Sequence, residues 1–310
     1  MAMFVRGWFV LFVLGLSAAS FAGTSTMGTS KVITLDTGRQ YLLYVPAHVA
    51  KPAPVVMMFH GGGGDMQQAF EAYGWQTTAD RYGFVLVVPN GSSRWPRGRL
   101  ATWNAGHCCG YARDEQVDDI AFVRSLLADL PRQVAIDPTR LFATGMSNGG
   151  MLAHRLACDM ATQVRAIAAV AGTDNTHDCK PQRAISVMHI HAKDDTHVLY
   201  HGGAGPDAFR DPRKVTDFTS VATTISRWQQ RLHISPQALQ QTARPGVTIH
   251  RWQHADGIAE VVLITTDSGG HSWPHSKPVR GKTPSTAINA NDEIWQFFAR
   301  QAPISPEPPE

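Results

Sequence analysis

Between Lys31 and Val45 apolar residues alternate with polar ones in two short bursts, Val32, Ile33 and Leu35, then Tyr41, Leu42, Tyr44 and Val45. That period predicts two strands paired as an antiparallel hairpin at a sheet edge. Beyond it the pattern changes to continuous apolar runs, Val55 to Phe59, Phe84 to Val88, Leu141 to Ala143, Ala166 to Ala171 and Ile185 to Ile190. Runs this short, several of them rich in β-branched residues, predict strands buried on both faces. Between them apolar residues recur at three and four spacing over 66–82, 115–130, 148–160 and 219–232, which predicts helices. Strands alternating with helices give an α/β chain with a mostly parallel central sheet and helices on both faces. Two further strands at 247–253 and 259–265 and a helix from Ile288 to Arg300 close the pattern. Residues 301–310 are proline-rich with no apolar period and predict a disordered tail.

The N-terminus departs from this pattern. Arg6, the apolar run Trp8 to Leu16 and the sequence Ser20-Phe21-Ala22 predict a signal peptide over residues 1–22, cleaved after Ala22. The run is too short to cross about 30 Å of hydrocarbon as a helix. A secreted or periplasmic protein with no stable membrane anchor follows, its single domain spanning 23–300. No linker leads to a second module. With 28 basic and 25 acidic residues the net charge is +3, and the 14 histidines are scattered, so no basic stripe points to nucleic acid. Four cysteines are too few to build a fold of this size. In an oxidising compartment Cys108, Cys109, Cys158 and Cys179 are disulfide candidates, and the strain of a ring between adjacent cysteines favours bridges from that pair to Cys158 and Cys179.

One motif carries most of the chemistry. The strand ending at Thr144 runs into Gly145-Met146-Ser147-Asn148-Gly149-Gly150, and a helical pattern follows at once. A serine pushed out on a sharp strand-to-helix turn needs neighbours without Cβ atoms, and the helix N-terminus beside it offers unpaired N–H groups to an oxyanion. Upstream, the run Val55 to Phe59 ends in His60-Gly61-Gly62-Gly63-Gly64-Asp65, a loop whose backbone could complete an oxyanion hole. Asn148 and Gly62 are the favoured donors, with Gly61 as the alternative to Gly62. No Gly-Lys-Ser/Thr follows that loop, which argues against a phosphate cradle.

The acid and base belong downstream in the order serine, carboxylate, histidine. The run Ile185 to Ile190 ends in His191-Ala192-Lys193-Asp194-Asp195, which places two carboxylates past a strand end. Later, Gly269-Gly270-His271-Ser272-Trp273-Pro274-His275 places two histidines on a glycine-rich loop, of which His271 follows the glycines directly.

These stretches, with Trp103-Asn104-Ala105-Gly106-His107-Cys108-Cys109-Gly110 and Val117-Asp118-Asp119-Ile120-Ala121-Phe122, resemble the polyhydroxybutyrate depolymerase-like esterases, which include feruloyl and acetylxylan esterases. The likeness runs from about residue 30 to about residue 300 and implies the α/β-hydrolase fold. It implies Ser147 as nucleophile, His271 as base and, by alignment of His191 to Tyr200 with the family's acid loop, Asp195 as acid. Ala192, Lys193 and Leu199 depart from the family pattern there. Asp118 and Asp119 read as structural or capping residues. No metal or organic cofactor enters such chemistry, and the partner is an ester: a hydroxyalkanoate polyester or oligomer, or alternatively a feruloyl or acetyl ester of plant cell-wall polysaccharide. Trp103, Trp273 and Tyr200, with Trp95 and Tyr111 near them, are the candidate substrate-binding aromatics. A remote alternative is a metallohydrolase using His189 and His191, whose alternate positions on a strand share one face.

Overall fold

A computed structural model describes residues 28–95, 98–208, 217–278 and 283–303. Ten strands form one sheet: β1 (Thr29–Thr34), β2 (Gln40–Val45), β3 (Ala53–Phe59), β4 (Val85–Pro89), β5 (Ile136–Met146), β6 (Ala166–Val170), β7 (Ser186–Ala192), β8 (Leu239–Arg244), β9 (Val247–Gln253) and β10 (Glu260–Thr266). Their spatial order is β1-β2-β4-β3-β5-β6-β7-β10-β9-β8. The six central strands from β4 to β10 pair parallel, and antiparallel strands finish both edges.

Two apolar cores lie on opposite faces because side chains alternate along each strand. In β3, Val55, Met57 and Phe59 face one core while Val56 and Met58 face the other. The first core is covered by α4 (Asp119–Gln133), α5 (Asn148–Asp159) and α6 (Val221–Arg231), and the second by α1 (Met66–Ala72), α2 (Trp75–Tyr82) and α7 (Ala290–Ala299). This is the doubly covered parallel sheet anticipated from the sequence.

Three differences have local causes. The helical pattern over 66–82 is two helices, because Gly74 takes a left-handed φ of 69° between them. The pattern over 115–130 begins in a turn, after a short unanticipated α3 (Gly110–Asp114), and the helix α4 starts only at Asp119, its N-terminus capped by the Asp118 carboxylate accepting from Ala121 N–H at 2.8 Å. Strand β8 was not anticipated: Leu239-Gln240-Gln241-Thr242-Ala243-Arg244 is exposed throughout and is held by backbone pairing to β9.

The cysteines pair differently from expectation. Cys158, at the end of α5, meets Cys179 with Cα atoms 5.1 Å apart, within disulfide range, while the sulfurs of Cys108 and Cys109 turn onto each other. Cys108 and Cys109 are committed elsewhere, buried in the first core beneath the Trp103 loop. At the other end, the chain stays packed one residue into the stretch read as a tail, where the buried Gln301 bonds Glu260 and Ser186, both at 2.7 Å. Residues 304–310 and the expected signal peptide lie outside the described residues. Among the described residues no helix is long and apolar enough to cross a membrane.

Candidate active site

Ser147 stands between β5 and α5 with φ 54° and ψ −121°, a conformation that projects its side chain off the sheet's C-terminal edge. Its N–H is tied to Val170 O at 2.8 Å. The glycines around it are a steric requirement: a Cβ on Gly149 would lie 2.5 Å from His60 O, and one on Gly145 would lie 2.5 Å from the Gly149 carbonyl carbon.

The Gly-rich loop after β3 is fastened from both sides. Gly63 N–H is given to Ala101 O at 2.8 Å and Gly64 N–H to Gly61 O at 3.0 Å. The Gly61 amide faces the phenol oxygen of Tyr73, whose burial pushes its hydroxyl up to about 12. Of these four amides, Gly62's has no acceptor among the described residues, and Gly62 lines the same cavity as Ser147 and Asn148. His60 sits beneath the loop, fully buried, with Nδ1 at 2.8 Å from Gly61 O and Nε2 accepting Gly91 N–H at 2.9 Å. Burial brings its imidazole down to about 4, so it is neutral.

The two carboxylates past β7 divide their work. Asp194 is exposed and accepts the N–H groups of Gly269 (3.3 Å) and Gly270 (2.8 Å), fixing the loop that carries His271. Asp195 is buried, and its Oδ2 lies 2.8 Å from His271 Nδ1. Its Oδ1 accepts the amides of His197 (2.8 Å) and Val198 (3.0 Å). Burial alone would raise this carboxyl, but hydrogen bonds from His191 and His271 reverse the effect and hold it well below the usual carboxylate range. His275, the other histidine of that loop, is exposed at a turn, with its N–H on Ser285 O.

Ser147, His271, Gly62 and Asn148 all line one cavity of about 890 Å³. Of the candidate aromatics, Trp95, Tyr111 and Trp273 line it as well. Trp103 does not. It is fully buried against Phe59 and Phe122, its Nε1–H given to His60 O at 3.0 Å, because its indole is the wedge between the Gly-rich loop and the first core. Tyr200 is not a wall of that cavity either: its hydroxyl meets Thr265 Oγ1 at 3.0 Å and its ring packs edge-on against His191, behind Asp195. Trp273 presents little surface, since its Nε1–H is bonded to Asn291 Oδ1 at 2.8 Å and its ring lies against Tyr73. Tyr73 itself, a cavity wall at the end of α1, carries no signal in the sequence beyond ordinary core periodicity.

The metal alternative meets a different arrangement. His189 Nε2 and His191 Nδ1 are 3.0 Å apart and bonded, which spends one nitrogen of each ring, and among the described residues no third ligand atom joins them. The ligand atoms that do converge belong to Asp195, His197 and His271, all within 4.8 Å of one another, so a cation held there would displace the Asp195–His271 hydrogen bond. Asp119 is fully buried between Arg39 (2.9 Å) and Asn104 N–H (2.8 Å), anchoring the Trp103 loop from beneath.

The family model described as esterase PHB depolymerase matches residues 39–206. The chain belongs to that family. It is 22% identical over 85% of its length to a bifunctional acetylxylan esterase/xylanase of Neocallimastix patriciarum, and 26% identical over 72% of its length to feruloyl esterase B of Piromyces equi. It spans only 33% and 40% of those two proteins. Among solved structures, an acetyl xylan esterase from Aspergillus awamori superposes with a TM-score of 0.61 at 14% identity, covering 88% of this chain and 99% of that one. The fold is the α/β-hydrolase fold of that esterase.

Proposed function

We propose that this chain is an exported serine carboxylic-ester hydrolase acting through an acyl-enzyme. The observation that carries the reading is the bond of 2.8 Å between buried Asp195 and His271, on the wall of the cavity onto which the strained Ser147 opens. In this reading His271 takes the Ser147 proton as the oxygen attacks the ester carbonyl carbon, and Asp195 holds the ring in the tautomer with Nδ1–H and stabilises the imidazolium. The carbonyl oxygen, now an anion, is received by the amides of Gly62 and Asn148, each able to contribute about 3 kcal/mol to lowering the barrier. The imidazolium returns its proton to the departing alcohol, and water repeats the sequence on the acyl-serine.

The substrate class proposed is a hydroxyalkanoate polyester or its oligomers, in keeping with the family. A feruloyl or acetyl ester of plant polysaccharide is the second reading, favoured by Trp95 and Tyr111 at the cavity and by the names of the relatives. Export rests on the signal-like residues 1–22.

The test is hydrolysis of polyhydroxybutyrate film, hydroxybutyrate oligomers, methyl ferulate, acetylated xylan and a short nitrophenyl ester by the mature protein and by Ser147→Ala. Loss of every activity in the variant, with loss of labelling by a serine-directed phosphonate, supports the serine mechanism, and the best substrate selects the class. Activity retained in Ser147→Ala overturns it.

A further inference from the structure

A row of buried imidazoles runs from the core up to Asp195. His191, at the next-to-last position of β7, has Nε2 at 2.8 Å from Val198 O and 3.3 Å from Asp195 Oδ2. A carbonyl and a carboxylate only accept, so Nε2 carries a proton. On the neutral ring Nδ1 must then accept, which makes His189 Nε2, at 3.0 Å, the donor. Alternate positions on one strand place both rings on the same face. His189 is fully buried, and burial, then the neighbouring His191 and His154, hold it well below 6.5, so it stays neutral and keeps this orientation. Beyond it His154 stands with its ring centre 5.8 Å away, its Nδ1 accepting Trp228 Nε1–H at 2.9 Å. Reversing the His191 tautomer would aim a lone pair at two acceptors, Val198 O and Asp195 Oδ2, which is costly in a buried network.

Asp195 therefore receives three N–H groups in direct hydrogen bonds, with a fourth close beside it. The amides of His197 and Val198 hold Oδ1 and His271 holds Oδ2, while the His191 Nε2–H, given first to Val198 O, lies 3.3 Å from the same Oδ2 and braces the backbone that carries the Val198 amide. A carboxylate whose task is to orient His271 needs a fixed direction that does not depend on His271. We infer that His191 is a positioning residue that supplies this direction for Asp195, with His189 setting the tautomer in which it works. The inference rests on Asp195 and His271 being the acid and base proposed above.

The test compares His191→Leu with His191→Gln, whose side-chain amide nitrogen reaches about where Nε2 stands, on the nitrophenyl ester, beside Asp195→Asn. His191→Leu is expected to lower kcat about ten- to hundred-fold with KM within about two-fold, the size of loss that follows a small misplacement of a catalytic group. His191→Gln is expected to recover most of that loss. The downfield proton NMR signal of the Asp195–His271 hydrogen bond is expected to broaden or move in the Leu variant and to persist in the Gln variant. Equal kcat in the Leu and Gln variants, or an undisturbed downfield signal in the Leu variant, overturns the inference. If the Leu variant does not fold, His189→Leu replaces it: a lowered kcat at unchanged KM supports the inference, and wild-type kcat overturns it. Wild-type activity in Asp195→Asn overturns the triad reading itself, whereas an inactive Asp195→Asn beside a normal His191→Leu removes only the role of His191.

Discussion

The side-chain amide of Asn148 is bonded on both sides to the backbone of Trp103, accepting its N–H at 2.7 Å and donating to its carbonyl at 2.9 Å. One residue thus offers its backbone to the cavity while its side chain clamps the neighbouring loop to the serine turn. Asn148→Ala keeps the backbone amide but leaves the buried Trp103 N–H unpaired, at about 1–3 kcal/mol, while the Trp103 carbonyl keeps the Cys109 N–H at 3.1 Å. A loss of about 1–3 kcal/mol in urea unfolding is expected, and an unchanged midpoint would show that the clamp carries no stability.

Acid should weaken the fold in a defined window. His60 and His154 are fully buried and brought down from 6.5 to about 4, and His189 well below 6.5, in each case mainly by burial. Between pH 6.5 and about 4 the unfolded chain binds protons that the native chain refuses. Their contribution is complete above 6.5 and is lost as pH falls through that range, by at most about 3 kcal/mol for each of His60 and His154. Asp195, held low, keeps its contribution until the pH falls below the ordinary carboxylate range. Urea midpoints measured from pH 8 to pH 4 should be flat down to about 6.5 and then decline. A flat profile down to pH 4.5 would contradict the neutral-histidine core.

The Cys158–Cys179 pair spans 21 residues of sequence and ties the end of α5 to the loop after β6. Closing a loop of that length constrains the unfolded chain by about 3 kcal/mol. The double variant Cys158→Ser, Cys179→Ser is expected to melt several degrees lower with its kcat on a short ester unchanged, since neither residue lines the cavity of Ser147.

Two tryptophans should respond in opposite ways. Trp95 is 50% exposed and lines the cavity, so Trp95→Ala should raise KM for an aromatic ester about three- to ten-fold with no change in stability. Trp103→Phe loses the indole bond to His60 O and leaves a gap in the core, so about 2–4 kcal/mol of stability should go. Equal loss of stability in both would erase the distinction between wall and wedge.

That distinction also marks how far the sequence could be read. The parallel strands were legible because burial on both faces leaves an uninterrupted apolar run, as in Val55 to Phe59, and Ser147 because a sharp turn demands glycines at fixed offsets. Strand β8 was not legible: an exposed edge strand needs only backbone pairing, and its side chains carry no period. Trp103 and Tyr200 were placed beside the substrate because they lie near site motifs, yet nearness along the chain does not fix direction, and both turn inward. The cysteines failed for a related reason, since the pairing depends on where α5 ends relative to the loop after β6. Asp194 and Asp195 differ by one position, and that step decides which carboxylate is buried against His271 and which holds its loop.

Two segments of the cavity's wall differ in how they are held. Gly62, Ser147 and Asn148 sit at strand ends locked into the sheet, whereas Arg94, Trp95, Leu100 and Tyr111 lie on the connections between β4 and α4. Midway along those connections Trp103 is clamped to Asn148 and its indole to His60 O, and Ala101 beside it accepts Gly63 N–H. The stretch that shapes the cavity mouth is therefore also the brace of the Gly-rich loop, and its outer residues can be exchanged freely only while Ala101 and Trp103 keep their bonds.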